Sequence, residues 1–239
     1  RNRCHSSKQV SEKIGAVQAG FLRIYATDAL IRGLSPGERQ RIGNLAARML
    51  EFLATRFGKE PRGRVIIATN EDVRTLGFVP EGTFVASTLT AFGLGRRMGL
   101  PFDVWFASEY AAIWWGTGCK IIGPGAAELG IGITTAMGLL WTKYIGETEI
   151  VERTLEIFRG HLRGSLIRNW WESAQGKPRS ELMFGTTLSI YDRLQHEGEA
   201  LDAIQALTRA HWGRYVWSTD VSARLAEVGV NLPKPFRRL

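Results

Sequence analysis

The sequence has little cysteine, little histidine and no long apolar run, and each shortage closes a function class. Two cysteines, Cys4 and Cys119, are too few for a disulfide framework, and neither has a close second ligand with which to hold a metal. The four histidines, His5, His161, His196 and His211, stand at no ligand spacing with one another. No stretch of eighteen apolar residues occurs, so no transmembrane helix is predicted. The polar opening RNRCHSSKQVSEK has no apolar segment of a secretory signal behind it. Internal repeats and low-complexity segments are also missing. The chain opens on Arg1 rather than Met, as a processed form or a piece of a longer protein would. No address signal marks a compartment.

What is present is core material. Hydrophobic residues make up 44% of the 239, with eight Trp and eleven Phe, which excludes a disordered chain. Lys and Arg outnumber Asp and Glu by 31 to 23, a net charge of +8. The basic residues are scattered, pairs such as Arg96-Arg97 and Arg237-Arg238 are short, and no nucleic-acid motif accompanies them. This is a diffuse basic surface, and no nucleic-acid partner is expected.

Along the chain, residues 1–14 read as a polar, flexible end, 15–100 as a small α/β lobe and 101–239 as a mainly helical lobe. Phe21 to Ala26 reads as a strand. Ser35-Pro36-Gly37-Glu38 is a capping box with Pro at the first helical position, and Leu45, Met49, Phe52 and Leu53 continue at helical spacing to a Gly58 cap. Arg64–Thr69 and Thr83–Thr88 have strand composition. Helical patterns follow at 102–115, 132–144, 148–158, 181–194, 199–212 and 219–228, with a Gly-rich loop over 116–130. The whole is an α+β fold, mainly α.

The most informative stretch is Ser108-Glu109-Tyr110-Ala111-Ala112-Ile113-Trp114-Trp115-Gly116. It resembles the zinc helix of the aminopeptidase N-like (gluzincin) metallopeptidases, His-Glu-x-x-His-x-Trp-Trp-Gly. Residues four apart share a helix face, so two imidazoles in that pattern grip one zinc ion, and the Glu serves as general base on the bound water. Against that pattern Glu109, Trp114, Trp115 and Gly116 match, while Ser108 and Ala112 stand where the histidines belong. The family's third ligand, a Glu eighteen residues on, falls on Ile131 within Leu129-Gly130-Ile131-Gly132-Ile133-Thr134-Thr135. The resemblance reaches outward through Phe57-Gly58-Lys59-Glu60-Pro61 before a buried strand, through Phe184-Gly185, and through Leu225 to Leu232 with Phe236. The family's catalytic tyrosine falls on Leu182. Its Gly-Ala-Met-Glu-Asn segment has only a poor counterpart near Gly77–Gly82.

The resemblance implies a thermolysin-like catalytic lobe, a small mixed sheet followed by a helical lobe, with a cleft between. It also implies that the zinc chemistry is gone, with no metal and no other cofactor. Tyr110, Trp114 and Trp115 read as core aromatics, and Glu128 as a solvated loop carboxylate. Three functions follow. The first is a non-catalytic binding or scaffold subunit, with a protein partner or a second copy and a cleft able to hold a peptide or small molecule. The second is a repurposed metal-free enzyme, a hydrolase or acid–base catalyst using Glu109 with a hydroxyl such as Ser108. The third is an aminopeptidase with a relocated metal site.

Overall fold

A computed structural model describes residues 10–19, 22–27, 35–68, 83–87, 102–164, 180–196 and 198–233. Four strands form one sheet in the order β1 (Val10–Ala19), β2 (Leu22–Thr27), β3 (Gly63–Ala68) and β4 (Thr83–Ser87). β1 and β2 are antiparallel with two register shifts, whereas β2, β3 and β4 run parallel. β1 begins inside the stretch expected to be a flexible end. Parallel neighbours need a crossover, and helix α1 (Pro36–Phe57) supplies the one between β2 and β3. Its start is the capping box read from the sequence: the Glu38 amide donates to Ser35 Oγ, and the Ser35 amide donates to the Glu38 carboxylate at 2.8 Å. It stops at Gly58, in left-handed conformation.

The helical part holds α2 (Phe102–Ala111), α3 (Ala126–Tyr144), α4 (Thr148–Gly164), α5 (Ser180–Leu194), α6 (Glu199–His211) and α7 (Ser218–Glu227). Two differences from the expected pattern matter. The α-helix over 102–115 ends at Ala111 and continues as a π-helical turn over Ile113–Gly118, with Trp115 out of helical geometry at φ −111°, ψ 53°. The Gly-rich loop is structured: it contains β5 (Cys119–Ile122), paired in parallel with β6 (Arg214–Trp217), and α3 already begins at Ala126.

Helix α3 is the centre of this part, packed between α2 and α5. Two glycines make the close approach feasible. A Cβ at Gly138 would lie 2.6 Å from both Ser108 Oγ and the Val104 carbonyl on α2, and one at Gly132 would collide with Thr186 Cγ2 on α5. Both parts share one hydrophobic core that runs from Leu22, Leu53 and Val65 through Trp114 and Ile133 to Ile190 and Leu225. No helix among the described residues is long and apolar enough to cross a membrane.

Candidate functional site

The stretch 108–116 spans the end of α2 and the π turn, and its side chains divide by direction. Ser108 is buried, and its hydroxyl donates to the Val104 carbonyl one turn back, at 2.7 Å. It faces Gly138 on α3, so it belongs to the helix–helix contact. Ala112 is half-buried where α2 gives way to the π turn. The Trp115 carbonyl lies 3.7 Å from the Cβ position of Gly130, so α3 runs back antiparallel to α2 and brings half-buried Ile131 to the level of the π turn. Leu182 is buried on α5. Ser108, Ala112, Ile131 and Leu182 thus sit on one three-helix assembly and bring a single hydroxyl to it, already engaged.

Glu109 points differently. It is half-buried, with no hydrogen bond or ion pair among the described residues. Loss of water around the carboxylate penalises its charged form and pushes its pKa up to about 7. A carboxyl so poised exists in both protonation states near neutral pH and can take up or release a proton there.

The aromatic residues of the stretch are structural. Trp114 is fully buried, stacked on Phe57 with ring centres 5.3 Å apart, and its indole N–H donates to the Lys59 carbonyl at 2.7 Å. The Trp115 indole N–H donates to Thr208 Oγ1 on α6 at 3.0 Å. Adjacent helical residues point about 100° apart, and unwinding at Trp115 allows the two indoles to reach separate elements. Tyr110 is fully buried, and desolvation pushes its phenol far above the ordinary tyrosine range.

Several features escaped the sequence reading. Glu128 is buried in the first turn of α3 rather than solvated in a loop. The buried polar atoms Tyr110 Oη, Trp105 Nε1, Thr135 Oγ1 and Thr186 Oγ1 find no hydrogen-bond partner among the described residues. Two threonines inside apolar helical runs are the only signal that could have drawn attention to the last pair. Among the described residues no three His, Cys, Asp or Glu side chains come together to hold a metal ion. His161 is exposed and stacks on Phe184, 5.0 Å between ring centres. Cys4, Phe236 and the segment Gly77–Gly82 lie outside the described residues.

No family model and no curated protein matches the chain. Solved structures do. The M1 zinc metallopeptidase from Deinococcus radiodurans aligns over 90% of this chain and 47% of its own, with a TM-score of 0.56 and 18% identity. A point mutant of an M1 zinc metallopeptidase from the same organism gives 0.55 and 17%, covering 46% of that chain. A two-domain M1 zinc metallopeptidase mutant bound to L-tryptophan gives 0.54 and 16% over the same shares. The chain therefore has an M1 metallopeptidase-like fold and spans about half the length of these structures.

Proposed function

We propose that this chain is a metallopeptidase-like protein without a zinc site, acting as a non-catalytic binding or scaffold subunit. The observation that supports this most directly is the donor set. A catalytic zinc site needs three deprotonated ligands and an open position. Ser108, Ala112 and Ile131, at the positions where the resemblance puts those ligands, offer one hydroxyl among them, and it is spent on the Val104 carbonyl. These residues do not fit a zinc ion.

In this reading the helix frame is kept for binding. A mutant of the Deinococcus enzyme was solved with a bound tripeptide substrate, and we assign an extended peptide segment of a protein partner, or of a second copy, to the corresponding face around Glu109. Metal analysis of protein purified without chelator tests the zinc claim: stoichiometric zinc overturns it. Light scattering and co-purification test the partner. A monomer that carries nothing counts against the scaffold role.

One observation favours a second reading, a repurposed metal-free enzyme. Glu109 has no partner among the described residues and is desolvated enough to exchange a proton near pH 7. The Ser108 hydroxyl is committed and buried, so Glu109 would act on substrate or water without it. A screen of peptide, amide and ester substrates followed by Glu109→Gln decides. An activity that survives the substitution intact removes Glu109 as the base.

A further inference from the structure

On α1, Leu45, Arg48, Phe52 and Arg56 follow one another at spacings of three and four, which puts them along one stripe of the helix. The stripe meets the C-terminal end of α3, where Trp141 and Tyr144 stand. Phe52 lies 5.5 Å from Trp141 and 4.9 Å from Tyr144, ring centre to ring centre, and the Arg56 guanidinium lies over its ring at 5.2 Å. Tyr144 is fixed by two ring contacts yet remains 62% exposed. Between them opens a cleft of about 440 Å³ lined by Arg48, Glu51, Phe52, Thr55, Arg56 and Tyr144.

The chemistry of this cleft is specific in sign and shape. Two guanidinium groups face one carboxylate, so its charge is positive. Arg48 has no ion-pair partner among the described residues, which leaves its planar fork of donors for an outside acceptor. The Thr55 hydroxyl is used internally, donating to the Glu51 carbonyl at 3.0 Å. The walls are aromatic: Phe52 is set into α1 and Tyr144 leans over it. A flat ring can lie against Tyr144, and the volume falls within the usual range for small-molecule sites. The lining residues come from α1 and the end of α3 and none from the 108–116 stretch, so the cleft is separate from the face around Glu109.

We propose that the α1–α3 cleft binds a small aromatic anion, a planar ring carrying a phosphate or carboxylate, with the ring against Tyr144 and the anionic group on Arg48. Titration calorimetry of the whole chain with phenyl phosphate tests this, with phenol and inorganic phosphate as the two halves of the ligand. Saturable binding of phenyl phosphate at about 1 mM or tighter is expected, with each half at least ~10-fold weaker. Arg48→Gln and Tyr144→Ala, both at exposed side chains, should each weaken phenyl phosphate by ~10-fold or more while circular dichroism and thermal unfolding stay near wild type. No saturation by ~20 mM, equal affinity in Arg48→Gln, or inorganic phosphate binding as tightly as phenyl phosphate overturns the proposal.

Discussion

The Trp114 indole N–H donates to the Lys59 carbonyl at 2.7 Å, and the same ring stacks on Phe57. One side chain therefore ties the end of the α2 segment to the chain just past the Gly58 cap of α1. It connects two of the sequence stretches that carried the family resemblance, Phe57-Gly58-Lys59-Glu60-Pro61 and the Trp114-Trp115-Gly116 end of the helix. Packing gives one physical reason for their joint presence. The neighbouring Trp115 makes a second tie, to Thr208 on α6.

Trp114→Phe keeps much of the stacking and removes the hydrogen bond, and should cost about 1–2 kcal/mol. Trp114→Ala also empties a fully buried site and should cost about 3–5 kcal/mol. Urea unfolding of both variants measures the difference. A Trp114→Phe variant as stable as wild type would mean the hydrogen bond matters little, and equal losses would mean that it carries the whole effect.

Some elements are written locally and some are not. The bounds of α1 lie in the sequence because the Ser35–Glu38 box, Pro36 and Gly58 each act within one turn. The frame of the candidate site is legible for a similar reason: four-residue spacing on a helix is a local rule, and it puts Ser108 and Ala112 on one side. β5 and β6 are not legible. Each is four residues long, and Cys119 pairs with Arg214 far along the chain, so the pairing exists only once the fold brings them together. The burial of Glu128 is hidden likewise, since α3 starts six residues before the Gly132 start that local signals suggest. The burial of Ser108 depends on how closely Gly138 lets α3 approach, which no spacing rule contains.

Gly138→Ala should be destabilising by about 1–3 kcal/mol, because its new Cβ would meet Ser108 Oγ and the Val104 carbonyl at 2.6 Å. Ser108→Ala alone should be nearly neutral, since the hydroxyl bonds only to its own helix. The double variant should recover only part of the loss, because the Val104 carbonyl is backbone and stays. Denaturant unfolding in a double-mutant cycle reads the coupling. Full recovery would show that α2 and α3 are spaced by the Ser108 hydroxyl and not by backbone.

Glu109 should make the protein less stable as pH rises. Its folded pKa of about 7 lies above the ordinary 4.5. Between those values the folded state binds more protons than the unfolded one, so stability is greatest below about pH 4.5 and falls until about pH 7. After discounting for partial solvation, the loss should be on the order of 2 kcal/mol. Glu109→Gln should remove it: the variant's advantage over wild type grows from pH 4.5 to 7 and then levels off. Unfolding midpoints across that range check this, and a constant difference at all pH values would place the carboxylate in water or beside a cation.

Cys119 is a native chemical probe of the β5–β6 contact. The thiol is fully buried, its only hydrogen bond among the described residues is a long one of 3.6 Å to the Thr208 carbonyl, and burial pushes its pKa up to about 12. The thiolate is the reacting form, so both access and ionisation oppose modification. Iodoacetamide at pH 8 should leave the Cys119 peptide unlabelled in the folded protein and label it fully in strong denaturant, as peptide mass spectrometry would show. If global unfolding is the only route to reaction, the labelling rate of the folded chain should rise as its stability falls, and Gly138→Ala should speed labelling roughly in proportion to its unfolding constant. Fast labelling of Cys119 that is unchanged by Gly138→Ala would mean that β5 and β6 open locally, independently of the α2–α3 packing.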